Sequence, residues 1–179
     1  VTFISVVQLT MVISLLVPRL QLNVNDEGSI SGSLWPLLLG VFSTIVQASV
    51  AARILDSNLH TLLLATAPAH IFVGATAVPQ ALAYINRRFW AAGIGPVANG
   101  IALSAVTLTR LNSLSALTLG IAVTVGYIAQ WIVTYIGVRD LAASASRQIA
   151  IPARLFLGVL GFTLVSKFQP VLERIVSRS

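Results

Sequence analysis

Five stretches of almost unbroken apolar residues, at about 1–17, 35–52, 61–83, 93–109 and 115–137, alternate with short polar connectors, and a sixth stretch at 151–172 is more polar. Each approaches the roughly 20 residues that an α-helix needs to cross a hydrocarbon core of about 30 Å. The pattern predicts an all-α protein, a polytopic bundle of transmembrane helices in which short connectors make consecutive helices antiparallel neighbours. Pro18 to Leu34 carries Asn23, Asn25, Asp26, Gly28, Ser29, Ser31, Gly32 and Ser33, a solvated-turn composition. Residues 53–60, with Arg53, Asp56, Ser57 and Asn58, predict the next turn. After Arg110, Asn112 or Ser113 is placed to cap the following helix. Pro96 is expected near the start of its helix, where the N–H it lacks would have no partner anyway. No internal repeat or low-complexity tract is visible.

Composition makes lipid the solvent. Hydrophobic residues are 56% of the 179 and charged residues 9%, more apolar surface than a water-soluble globule of this size can bury. The net charge of +6 would suggest nucleic acid in a soluble domain. Here the arginines sit at the ends of apolar runs, as topology signals and lipid-headgroup anchors, and no basic stretch interleaves with exposed aromatics, so no nucleic-acid partner is expected. The absence of cysteine excludes a disulfide framework, a thiolate metal site and a thiol nucleophile. No paired carboxylates, Ser/His/Asp set, metal-ligand spacing or phosphate-cradling Gly loop occurs, so neither an enzyme nor a metal or cofactor site is expected. The chain opens Val-Thr-Phe without the layout of a signal peptide and closes on Val-Ser-Arg-Ser inside a helical pattern, which reads as a fragment of a longer protein.

Alternating sides for successive spans puts Arg19, Arg87, Arg88, Arg139, Arg147 and Arg154 on one side of the bilayer, against Arg53 and Arg110 on the other. The positive-inside rule makes the first side cytoplasmic. The linker 138–150, with Arg139, Asp140, Ser144, Ser146, Arg147 and Gln148, is then cytoplasmic, and its composition marks a domain boundary.

Polar groups inside a span need a partner or a cavity. The sixth stretch holds Lys167, Gln169, Glu173, Arg174 and Arg178, and at about 100° per residue Lys167, Arg174 and Arg178 form one cationic stripe with Glu173 well round from it. Pro170 leaves the carbonyl of Ser166 without its donor beside Lys167, which predicts a kink in a helix suited to a water-filled cavity. Glu173, Arg174 and Arg178 would equally suit a hydrated interface. In 61–83, Thr66 and His70 are one turn apart, Gln80 follows Thr76 by one turn, and Pro68 and Pro79 interrupt the ladder on either side of Gly74. Pro68, Pro79 and Pro170 are the candidate gating or hinge positions. His70 could relay a proton, though a lone intramembrane histidine more often bonds a neighbouring helix. Gly126, Gln130, Thr134 and Gly137 share one face, a pattern of close helix contact, and Asn99 is expected to bond backbone or an adjacent span.

The most informative segment is Tyr84-Ile85-Asn86-Arg87-Arg88-Phe89-Trp90, paired arginines in an aromatic belt joining two membrane-length runs. At Arg88-Phe89, Pro96-Val97-Ala98-Asn99, Leu119-Gly120 and Gly126-Tyr127-Ile128-Ala129-Gln130 the chain resembles the MurJ/MviN family of lipid II flippases, in the multidrug/oligosaccharidyl-lipid/polysaccharide exporter superfamily. Ser166-Lys167-Phe168-Gln169-Pro170-Val171-Leu172-Glu173-Arg174 looks like the seventh span of that family, and Leu16-Val17-Pro18 is similar to the end of its second. The resemblance covers nearly the whole chain through degenerate motifs. It implies part of a two-lobed MATE-like exporter fold, in which 1–137 is a partial amino-terminal lobe of about five helices, 138–150 the interlobe linker and 151–179 the first helix of the second lobe. It also implies alternating access in the bacterial cytoplasmic (inner) membrane, export of peptidoglycan precursor for the cell wall, and an undecaprenyl-linked anionic glycolipid as the substrate held among membrane lipids. Lys167, Arg174 and Gln169 would contact the diphosphate and sugar headgroup, and Glu173 would contribute to a cation site, with coupling to Na+ or to membrane potential. Lys167 and Glu173 depart from the commoner amide or aspartate of the family, and Arg174 beside Glu173 weakens the case for tight cation binding. The spans carrying much of the family's substrate contact lie outside this sequence, so it should not transport alone.

Other readings use the same pattern. A polysaccharide or teichoic-acid precursor exporter and a drug/cation antiporter belong to the same superfamily, and a cationic cavity favours an anionic substrate over organic cations. From another class, a small multispan scaffold could pair its intramembrane charges with a partner.

Overall fold

The computed structural model describes residues 35–145, and this region is all-helical. Its helices are α1 (Trp35–Ala51), α2 (Ser57–Thr66), α3 (Ala69–Ile85), α4 (Phe89–Thr109) and α5 (Ala116–Ala145), with a 3₁₀ turn at Leu111–Ser113 before α5. Three spans are long and apolar enough to cross a bilayer: Ser57–Ile85, which contains α2 and α3, then Phe89–Thr109 and Ala116–Leu141. The 17 residues of α1 rise only about 25 Å at 1.5 Å each, shorter than a full crossing. The predicted spans at 1–17 and 151–172 lie outside the described residues.

Several boundaries differ from the sequence expectation. The turn expected at 53–60 is shorter, because Asp56, extended at φ −70° and ψ 116°, accepts the Leu59 N–H at 2.8 Å and starts α2 at Ser57. The cap before α5 is neither Asn112 nor Ser113, which belong to the 3₁₀ turn; Ser115 Oγ accepts the Thr118 N–H at 3.1 Å. Pro96 is not at a helix start but inside α4, which begins at Phe89. The helix expected to end at 137 continues to Ala145, past the end of its apolar span at Leu141, since 138–145 contains no Gly or Pro to stop it.

The turn between α3 and α4 explains why α4 begins early. Arg87 has φ 56°, the Arg87 N–H bonds Tyr84 O at 3.1 Å and the Arg88 N–H bonds Ala83 O at 2.8 Å. These paired bonds are a Schellman C-cap with arginine in the left-handed position usually held by glycine. The chain reverses within Asn86–Arg88, leaving Phe89 and Trp90 as the first residues of α4.

Contacts between helices give the directions. From one end of α1 to the other, Pro36 lies against Gly74, Gly40 against His70, Thr44 against Ala67, Gln47 against Leu63 and Ala51 against His60, so α1 is antiparallel to α2 and α3. Ala91 meets Gly137, Gly95 meets Thr134 and Asn99 meets Gln130, so α4 and α5 are antiparallel. Ala65 meets Gly120, and the rings of Phe72 and Trp131 lie 6.0 Å apart, so α5 runs parallel to α2 and α3. The packing order is α1, then α2 with α3, then α5, then α4.

The interior is made mostly of small and polar side chains, with Val73, Leu82 and Val138 the larger apolar ones. Ala67, Ala69, Ala77, Ala81, Ala83, Ala91, Ala92 and Ala122 are buried, whereas Phe42, Ile45, Val97, Ile101 and Leu108 are exposed. This arrangement suits lipid, where large apolar residues gain nothing by turning inward and small ones allow helices to approach closely.

Candidate functional site

The span Ser57–Ile85 is broken near its middle. Between Thr66 and Ala69 the chain forms a turn, and Pro68, which has no N–H, occupies the N-cap of α3 at φ −61° and ψ −22°. Ala67 and Pro68 both keep right-handed helical angles, so what is interrupted is the hydrogen-bond ladder, and carbonyls left at membrane depth persist only where protein groups bond them. Here three other positions do so: Gln47 Nε2 donates to Leu63 O at 2.8 Å, Thr124 Oγ1 donates to Ala65 O at 2.8 Å, and Thr44 Oγ1 reaches Ala67 O at 2.9 Å.

Gln47 also organises the side chains around the break. Its Nε2 donates to Thr66 Oγ1 at 2.8 Å, and its Oε1 lies 2.7 Å from His70 Nε2. Because Leu63 O can only accept, the amide cannot be turned over, so Gln47 Oε1 is the acceptor and His70 Nε2 carries the proton. In neutral His70 the other nitrogen, Nδ1, then holds a lone pair, and this buried atom has no partner among the described residues. His70 is 0% exposed. It therefore bonds a neighbouring helix, as a lone intramembrane histidine usually does, and joins Thr66 through Gln47.

The second polar locus lies between α4 and α5. Asn99 Nδ2 donates to Gln130 Oε1 at 3.0 Å, fulfilling the expectation that Asn99 bonds an adjacent span. Glycines let the helices close on this pair: a Cβ on Gly126 would lie 2.5 Å from Asn99 Oδ1, and one on Gly95 would collide with Thr134 Oγ1. The face Gly126, Gln130, Thr134, Gly137 is thus a packing face.

At one end of the bundle, Arg88 grips Asp140 through two parallel bonds, Nη1 to Oδ1 at 2.7 Å and Nη2 to Oδ2 at 2.6 Å, and Nη1 also donates to Gly137 O at 3.1 Å. The hydrogen bond to the carboxylate raises the guanidinium pKa above its ordinary value. At the other end an open groove of about 540 Å³ is lined by Asp56, Asn58, Leu59, Leu62, Leu114, Ser115, Ala116 and Leu119. The α3–α4 turn thus shares an end with Asp140, and the α1–α2 turn shares the opposite end with the start of α5, the pairing that alternating spans require.

Of the candidate site residues, Lys167, Gln169, Pro170, Glu173 and Arg174 lie outside the described residues. Pro68 interrupts its span, but α3 runs unbroken through the buried Pro79. Thr76 bonds its own helix at Phe72 O, and Gln80 Oε1 is buried without a partner among the described residues. Gln47, Thr44 and Thr124 were not singled out from the sequence. Gln47 carried the one available signal, as an amide isolated in an apolar run. Among the described residues no group of three or more His, Asp or Glu could hold a metal ion.

Comparison with family models, with curated proteins and with solved structures returns no match. Geometry and composition carry the description: among the described residues, an all-helical region with three spans long and apolar enough to cross a membrane, one of them jointed and the other two forming a tightly sealed pair.

Proposed function

We propose that this chain is part of a multi-pass exporter of lipid-linked oligosaccharide in the bacterial inner membrane, with lipid II as its substrate and alternating access as its mechanism. One observation supports the reading above others: motifs that carry the sequence resemblance face each other across α4 and α5. Asn99, from Pro96-Val97-Ala98-Asn99, bonds Gln130, from Gly126-Tyr127-Ile128-Ala129-Gln130. The jointed span Ser57–Ile85 adds a second support, since interrupted helices recur in transporters that change access. In this proposal Lys167, Gln169 and Arg174 meet the diphosphate and sugar headgroup through charge-assisted bonds, while the polyprenyl tail stays in lipid. Glu173 supplies the carboxylate of a sodium site.

The test uses the full gene product in bacteria depleted of their own lipid II exporter, with lipid II exposed on the outer leaflet as the readout. Restored exposure that is lost in Lys167→Ala and Arg174→Ala supports the proposal. Restoration that survives both substitutions removes the cationic headgroup site, and no restoration removes lipid II as the substrate.

A further inference from the structure

The joint between α2 and α3 is held by groups from two other helices. On the far side of Pro68 the backbone tightens, with the His70 N–H on Ala67 O at 3.2 Å and the Ile71 N–H on Pro68 O at 3.1 Å, each only three residues back. The carbonyls of Leu63, Ala65 and Ala67 receive Gln47 and Thr44 from α1 and Thr124 from α5. One of these bonds has an alternative within reach. The Thr44 hydroxyl has a single proton and lies 2.9 Å from Ala67 O and 3.0 Å from Gly40 O in its own helix, so it can leave the joint and remain bonded. Among the described residues the buried His70 Nδ1 has no donor, and water reaching the joint would supply one.

We propose that Ala67–Pro68 is a hinge, about which the two halves of the span Ser57–Ile85 move between the closed arrangement described above and an open one. On opening, Thr44 returns to Gly40, the Thr124 and Gln47 bonds to the joint are released, and water reaches His70. The closed state keeps those bonds at the expense of Nδ1, and the open state satisfies Nδ1 and gives up the bonds. Opposing changes of a few hydrogen bonds make the open form a minor but populated state. Pro79 makes an internal contrast, because it sits in α3 without an interruption and, among the described residues, without side chains from other helices bonded to its preceding turn. The hinge does not depend on which substrate the protein carries.

The chain contains no cysteine, so single engineered cysteines report cleanly. Ala69, just past the joint, is 0% exposed, as is Ala91 in the α4–α5 seam, while Leu55 is fully exposed. With the full chain in lipid vesicles, maleimide labelling of Ala69→Cys is compared with Ala91→Cys and normalised to Leu55→Cys. Ala69→Cys should label faster than Ala91→Cys. Adding Thr124→Val should raise the Ala69→Cys rate about tenfold, the loss of one buried hydrogen bond, and Thr124→Ser should restore it. Pro68→Ala, which returns an N–H to the break, should slow it to the Ala91→Cys rate. Equal labelling at Ala69 and Ala91, rates indifferent to Pro68→Ala and Thr124→Val, or parallel acceleration at both positions in Thr124→Val would each overturn the hinge.

Discussion

The two ends of the packing order solve the same problem differently. Between α4 and α5, glycines bring the backbones together and Asn99 and Gln130 bond each other across the seam. Between α1 and the jointed span, Gln47 and Thr44 add bonds to carbonyls that flank the Pro68 joint, and one buried nitrogen has no partner among the described residues. In the first region polar groups fasten two intact helices; in the second they brace the carbonyls on either side of a joint within one span. The lesson is that a buried amide inside a membrane bundle can be either a fastener or a splint, and what it bonds tells which: another side chain, or carbonyls at a break.

The comparison breaks most visibly at glycine. A Cβ on Gly74 would collide with the Pro36 carbonyl, a rigid backbone group, whereas nothing lies within 4 Å of a Cβ on Gly93. Gly74→Val should destabilise the chain by about 3 kcal/mol, while Gly93→Ala should stabilise it by about 0.5 kcal/mol through helix propensity. Unfolding of the reconstituted protein in mixed micelles would measure both, and a mild Gly74→Val would mean that α1 is not seated as described. The amides come next. Gln47→Leu removes three bonds at once and strands the His70 N–H, so about 2 kcal/mol is expected, against about 0.6 kcal/mol for Gln130→Leu at the sealed pair. Equal costs would erase the distinction between splint and fastener.

Much of this was legible from polar and small residues, and little from apolar ones. In water the apolar stripe of a helix fixes its rotation; in lipid both the outer and the inner faces are apolar, so that signal is lost. Gly126, Gln130 and Thr134 marked the inner face of α5 because small and amide residues have no reason to face lipid. Asn99 was readable for the same reason, and Pro68 marked the joint, although Pro79 was read the same way and α3 runs through it. The shared partner of Thr66 and His70 was not readable, since Gln47 lies 23 residues before His70 and only the antiparallel register of α1 brings them together. Helix limits were missed where several residues could cap: Ser113 and Ser115 are equivalent in composition, and the choice rests on the 3₁₀ turn Leu111–Ser113, which takes up Ser113 and leaves Ser115 just before α5. Arg88 was read as a topology signal, and its pairing with Asp140, 52 residues on, required the fold.

Arg87 and Arg88 allow a finer test of how much the sealed region depends on its end. Arg87 holds a left-handed conformation that costs an L-residue about 1 kcal/mol, so Arg87→Gly should stabilise the helix turn by about that amount. Since Arg87 is also one of the charges expected to hold this end in the cytoplasm, the same substitution should weaken orientation in the membrane, measured by labelling of a cysteine at Leu55 from either side. The smallest effect is expected at Asp140→Asn. Its partner pair is partly open to solvent, at 34% exposure for Arg88 and 55% for Asp140, where screening leaves an ion pair little net worth. The variant keeps one acceptor for Arg88, and Gly137 O remains as another. A slight, salt-sensitive loss of stability is expected, with no change in Ala69→Cys labelling. If Asp140→Asn instead speeds labelling at the joint, the clamp and the hinge are coupled through α5, which touches both regions, and the two ends of the bundle act as one device.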